Sequence, residues 1–79
     1  MKDSNIIVYS ASWCAFCHAA MDYFDKICVT YEKRDVEENQ DYANEAVEKS
    51  GQRGIPVIDI DGKIIVGFNK PEIDAAIAK

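Results

Sequence analysis

Apolar and polar positions along this chain follow two rhythms, one of strands and one of helices. Ile6-Ile7-Val8-Tyr9 is a short apolar run that predicts a strand. From Cys14 to Ile27 the period becomes helical, with Phe16, Ala20, Tyr23, Phe24 and Ile27 at i, i+4, i+7, i+8 and i+11. Met21 and Cys28 extend that apolar side and Cys17 lies on its edge. His18, Asp22, Asp25 and Lys26 fall on the opposite face. Cys17 is therefore expected to point inward, and Cys14, one turn earlier, to cap an exposed helix tip. Val29 to Val36 reads as a second strand with Tyr31 as its largest apolar anchor. Strand, crossover helix and strand make a βαβ unit, whose two strands run parallel.

Asn39 is placed to cap a second helix, with Tyr42, Ala43, Ala46 and Val47 on its buried stripe. Glu45 and Lys49 form an i,i+4 pair on its surface. Ser50-Gly51 ends it, with the glycine at C′. Val57–Ile60 and Lys63–Val66 then flank Asp61-Gly62, a two-residue signal for a type I′ hairpin. The last helix begins after Gly67. Asn69 as N-cap puts Glu72 at N3, and lets Phe68 pack on Ile73 as a hydrophobic staple. Ile73, Ala76 and Ile77 then face the core. The order is βαβαββα: an α/β chain with a four-stranded mixed sheet and three helices distributed over its two faces.

Length and charge narrow the function. Residues 1–79 form one domain, and a chain of 79 residues buries only about 60–65% of its unfolded surface. It needs a dense core, which its 48% hydrophobic content supplies. Three cysteines do not make a secreted disulfide framework; one pair and one odd thiol suit a reducing compartment. Met1-Lys2-Asp3-Ser4-Asn5 leads into the first strand with no apolar leader segment. No run approaches the roughly 18 apolar residues of a membrane span. A cytoplasmic location is expected. The net charge of −5 argues against nucleic acid or an anionic membrane as partner. Its one acidic cluster, Asp35-Val36-Glu37-Glu38, reads as a solvated strand end and loop. Nothing in the pattern demands more than a monomer.

The chemistry lies in Trp13-Cys14-Ala15-Phe16-Cys17, a Cys-x-x-Cys at a strand-to-helix turn, where redox dithiols belong. Only a thiolate attacks a disulfide, and a helix N-terminus favours an anion, so Cys14 is the expected nucleophile. Cys17, one turn inside, is the expected resolving thiol. Zinc or a shared iron–sulfur cluster is the alternative use of the same pair. A structural zinc site wants four ligands, however, and there is no second Cys-x-x-Cys; no metal is expected. His18 beside Asp22 reads as a solvated helical histidine. Cys28 would lie about 16 Å from Cys17 along a continuous helix. A disulfide needs Cα atoms within about 7 Å, so Cys28 reads as a core or helix-end thiol.

The element order, the Cys-x-x-Cys opening the first helix, Ile55-Pro56 opening the third strand, Asp61-Gly62 and Gly67-Phe68 together resemble the glutaredoxin family. The likeness runs from Tyr9–Cys17 through Gly51–Gly62. It implies the thioredoxin/glutaredoxin fold and a thiol–disulfide oxidoreductase that reduces protein or mixed disulfides. No bound cofactor is implied, and glutathione is the reductant. It further implies that Pro56 follows a cis bond beside the thiols, leaving the Ile55 backbone to pair with a substrate segment. Trp13 and Phe16 would line the substrate side of the motif. Arg53 matches a position that takes a glutathione carboxylate, and Gly67, Phe68 and Asn69 offer the turn for its γ-glutamyl end. Two departures point elsewhere. Glutaredoxins commonly carry Gly-Gly and an acidic residue where this chain has Val66-Gly67-Phe68-Asn69-Lys70, and many have a basic residue where it has Ser10-Ala11-Ser12. Gly67-Phe68 is more similar to redoxins served by a thioredoxin-reductase-type flavoenzyme, which is the alternative partner.

Overall fold

The computed structural model describes residues 5–78, so the leader-free start read from Met1–Ser4 lies outside the described residues. Seven elements follow in the expected order: β1 (Ile6–Ser10), α1 (Ala15–Lys26), β2 (Glu32–Asp35), α2 (Gln40–Ser50), β3 (Val57–Ile60), β4 (Lys63–Val66) and α3 (Lys70–Ala78). The four strands make one mixed sheet in the order β2-β1-β3-β4. β1 runs parallel to β2, with Ile7 opposite Glu32, and antiparallel to β3, with Ile6 opposite Ile60. The β3–β4 hairpin pairs Ile60 with Lys63. Asp61 and Gly62 both carry positive φ, 51° and 94°, as a type I′ turn requires.

Strand periodicity splits the apolar residues between two faces. One face carries Ile6, Val8, Ile58, Ile60 and Ile65 under Cys17, Ala20, Met21 and Phe24 of α1 and Ile73 and Ala76 of α3. The other carries Tyr9 and Val57 under Ala46 of α2, with Ile7, Tyr42 and Ile64 packed around them. This second face is thin and sealed by charge. Arg34 bonds Glu45 at 2.6 Å and Glu32 at 2.6 Å, the Tyr9 hydroxyl donates to Glu45 Oε1 at 2.9 Å, and Lys49 bonds Asp59 at 2.8 Å. Arg34 also lies over the Tyr42 ring, 5.4 Å from its centre.

The caps stand where the side chains predict them. Asn39 accepts from the Asp41 N–H at 2.9 Å, Gly51 closes α2 at φ 73°, and Asn69 accepts from the Glu72 N–H at 3.3 Å. Phe68 and Ile73 join the same apolar cluster.

Several expectations are corrected. The stripe of α1 that meets the sheet is Cys17, Ala20, Met21 and Phe24. It is rotated from the predicted one, leaving Phe16 in the first turn and Ile27 at the C-cap exposed. β2 is half the predicted length, because it forms the sheet edge; Val29 and Tyr31 precede it and pack on the α1 cluster as loop residues. Glu45 and Lys49 do not pair with each other, since each finds a partner on the sheet, and Val47 is exposed. Of the two places read for Cys28, core or helix end, it takes the helix end, as an exposed free thiol where the chain leaves α1 at positive φ.

Candidate active site

β1 ends at Ser10, and four residues later the chain turns into α1 with Cys14 as its N-cap. Cysteine is an unusual cap, and here its sulfur takes the acceptor role that serine or asparagine oxygen ordinarily fills. The Cys17 N–H donates to Cys14 Sγ at 3.1 Å, and the Cys14 carbonyl accepts from the His18 N–H at 3.2 Å. Cys14 and Cys17 form a disulfide, with Cα atoms 5.2 Å apart. Cys17 is fully buried, its Sγ 3.9 Å from the Tyr9 carbonyl oxygen. Cys14 retains 6% exposure, less than its place at a helix tip led us to expect. The reason is the neighbouring loop, whose Ile55 carbonyl oxygen lies 4.0 Å from Cys14 Sγ.

That loop arrives through Ile55–Pro56, and the peptide bond between them is cis. Pro56 is buried, and its carbonyl accepts from the Gly67 N–H at 2.8 Å. Cys14, Cys17, Ile55, Pro56 and Gly67 are thereby brought together. The Gly67 N–H is already committed to this bond, and the Asn69 side chain is committed to the Glu72 N–H. Phe68 is half-buried against the Tyr23 ring, 6.0 Å away. Arg53 is exposed and lines a shallow groove against α2 with Gln40, Ala43, Asn44, Val47 and Glu48. It makes no hydrogen bond to the cysteine loop among the described residues.

Trp13 and Phe16 flank the pair with 67% and 68% of their surfaces exposed, which leaves aromatic area open beside a reactive sulfur. Trp13 is nevertheless anchored: its indole N–H donates to Glu37 Oε2 at 2.5 Å. The Ser12 hydroxyl donates to Glu37 Oε1 at 3.5 Å, and His18 Nε2 lies 2.9 Å from the Ser12 carbonyl oxygen. His18 is therefore a brace for the loop before Cys14 rather than a purely solvated side chain. Glu37 was missed in the sequence, where it read as part of a solvated acidic turn. No spacing rule links positions 13 and 37; only the parallel pairing of β1 with β2 puts them side by side.

A disulfide with one sulfur sealed and the other at a helix N-terminus can open toward a single attacking face. Among the described residues no group of three or more His, Cys, Asp or Glu is arranged to hold a metal ion.

The glutaredoxin family model matches residues 6–65, the stretch that holds β1, β2, β3, α1, α2, the cysteine pair and all of β4 but Val66. The chain is 39% identical over 74 residues to an uncharacterized glutaredoxin-like 8.6 kDa protein in a rubredoxin operon of Clostridium pasteurianum. That match covers 94% of this chain and 99% of the relative. It is 36% identical to glutaredoxin-1 of Saccharomyces cerevisiae, covering 85% of this chain and 67% of the yeast protein. Its fold superposes on the crystal structure of a glutaredoxin from Archaeoglobus fulgidus with a TM-score of 0.86 at 17% identity, covering 96% of this chain and 88% of the other. With the Cys14–Cys17 pair at the head of α1 in a thioredoxin-type fold, this chain belongs to the glutaredoxin family.

Proposed function

We propose that the protein is a dithiol oxidoreductase that reduces protein or mixed disulfides, with Cys14 as nucleophile and Cys17 as resolving thiol. The observation that carries this reading is the asymmetry of the pair. Cys14 Sγ accepts a helix N–H and keeps some exposure, whereas Cys17 has none. In the reduced protein the Cys17 N–H and the α1 dipole stabilise a Cys14 thiolate. The thiolate attacks one sulfur of a substrate disulfide, forming a Cys14 mixed disulfide and expelling the first substrate thiolate. Cys17 loses its proton to solvent and attacks Cys14 Sγ, closing the Cys14–Cys17 bond and expelling the second thiolate. Both leaving thiolates take up protons, and two electrons pass from the dithiol to the substrate.

Glutathione reverses the cycle. One glutathione thiolate opens the bond at Cys14 and releases Cys17; a second attacks the mixed disulfide at its glutathione sulfur, yielding glutathione disulfide and free Cys14. This reading carries a reducing, cytoplasmic setting with it. A thioredoxin-reductase-type flavoenzyme is the second reading. It is favoured by two observations: Arg53 lies in the groove against α2, and a carboxylate, that of Glu37, stands on the Trp13 indole.

Trp13 is the sole tryptophan and adjoins the disulfide, so its fluorescence reports opening and closure. Oxidised protein mixed with excess glutathione and glutathione reductase is expected to be reduced completely. Reduction by a thioredoxin reductase with NADPH, and none by glutathione, would replace the first donor with the second. Cys14→Ser is expected to abolish exchange and Cys17→Ser to accumulate mixed disulfides with protein substrates. If Cys17→Ser turned over protein disulfides normally, the resolving role would be wrong. A stoichiometric metal or chromophore lost on Cys14→Ser would favour a metal-binding use of the pair instead.

A further inference from the structure

We propose that Glu37 is a positioning and selectivity residue of the thiol site. It holds Trp13 beside Cys14 and gives the rim a negative charge, so that disulfides flanked by basic groups react in preference to anionic ones. This rests on the dithiol reading above and adds a substrate class to it.

The turn that carries Glu37 is docked against the end of β1. The Val36 N–H donates to the Ser10 carbonyl at 2.9 Å, joining the turn to the chain four residues before Cys14. Asp35 holds the turn itself, taking the Glu37 N–H on Oδ1 at 2.8 Å and the Glu38 N–H on its carbonyl at 3.1 Å. From this fixed backbone the Glu37 carboxylate reaches the Trp13 indole at 2.5 Å, while His18 braces the same loop through Ser12. Trp13 leaves 67% of its surface exposed, so packing alone holds its indole only weakly. A charge-assisted bond to a carboxylate is what orients it.

Among the described residues Glu37 has no ion-pair partner. Glu37's partners, an indole and a hydroxyl, are neutral. Among the described residues the ion pairs are those of Arg34 with Glu32 and Glu45, Lys49 with Asp59 and Lys70 with Asp74, and Glu37 takes part in none of them. Glu38, exposed beside it, has the same sign. A disulfide approaching Cys14 along the Trp13 side therefore meets a carboxylate that is in no ion pair among the described residues. One charge on the rim of such a site changes an encounter rate across solvent by a few-fold, and the change fades with salt.

The test follows oxidation of the reduced protein through Trp13, with two small disulfides of opposite charge: cystamine, with two ammonium groups, and 3,3′-dithiodipropionate, with two carboxylates. Each rate is divided by that of the same disulfide with free dithiothreitol, which removes intrinsic reactivity. The normalised preference of the wild type for cystamine is expected to be about tenfold at low ionic strength, and to collapse in about 0.5 M salt. Glu37→Gln removes the charge but keeps an acceptor for the indole. It is expected to reduce the preference at least about threefold while leaving Trp13 anisotropy high. Glu37→Ala is expected to lower both. An unchanged preference in Glu37→Gln, or no salt dependence in the wild type, overturns the assignment. No oxidation of the wild type by either disulfide overturns the dithiol reading, and the role of Glu37 with it.

Discussion

Phe24 is the largest fully buried side chain of the larger core. It is fully buried, and its ring lies 5.6 Å from that of Tyr31 and 6.2 Å from that of Tyr23. Phe24→Ala is expected to cost about 3–5 kcal/mol, read as a lower urea midpoint at unchanged slope. A domain of this length has a total stability of roughly 4–12 kcal/mol, so the variant would sit near its unfolding threshold. Glu45 gives the second face its pH dependence. The Tyr9 hydroxyl bond, and then Arg34, hold its carboxyl below the usual 4.5, against burial, which pushes it up. A folded pKa below the unfolded one means stability present above that range and lost as pH falls through it. The melting temperature of the wild type is therefore expected to fall from about pH 5 downward, and Glu45→Gln to flatten part of that fall. Asp74 adds to the same slope, because the Tyr23 hydroxyl and Lys70 lower its pKa too. Phe24 and the two cysteines were legible from their spacing. Phe16 and Ile27 were not, because a helical stripe read in isolation leaves open which side the sheet will meet.

Signals that act within a few residues were the most readable. The Asp61-Gly62 turn, the Asn39 and Asn69 caps and Gly51 each depend on their own backbone, and each stands as read. At Gly62 a Cβ would meet nothing within 4 Å, so a substitution there is penalised by conformation alone. With φ at 94°, Gly62→Ala is expected to cost about 1–2 kcal/mol, measured by thermal unfolding. Asn39→Ala is expected to cost about 1 kcal/mol through the lost cap on the Asp41 N–H. Strand β2 was misjudged in length because nothing in its sequence says that it is an edge. Its residues Glu32, Lys33, Arg34 and Asp35 make sense only there. Four charged side chains on an open edge discourage pairing with another molecule. Replacing Glu32 and Lys33 together by valine is expected to leave the fold in place and raise concentration-dependent association, read by light scattering.

At the scale of the whole molecule, the sheet gathers the site from segments far apart in sequence. β1 delivers the cysteine loop, β3 brings Ile55 and Pro56 to its side, and β2 delivers Glu37 from the opposite flank. The first two contributions were readable because family-like motifs mark them. The third was not, since an acidic turn has the same appearance whether or not an indole stands opposite. The sheet order carries a consequence for synthesis. β1 is an interior strand, but its antiparallel partner is encoded much later, with Ile6 waiting for Ile60. A chain made amino end first thus holds both motif cysteines before β3 exists to complete the wall around Cys17. Until then the chain lacks the strand whose Ile58 and Ile60 share the apolar cluster with Cys17. The selectivity of the finished site is a property that the nascent chain does not yet have.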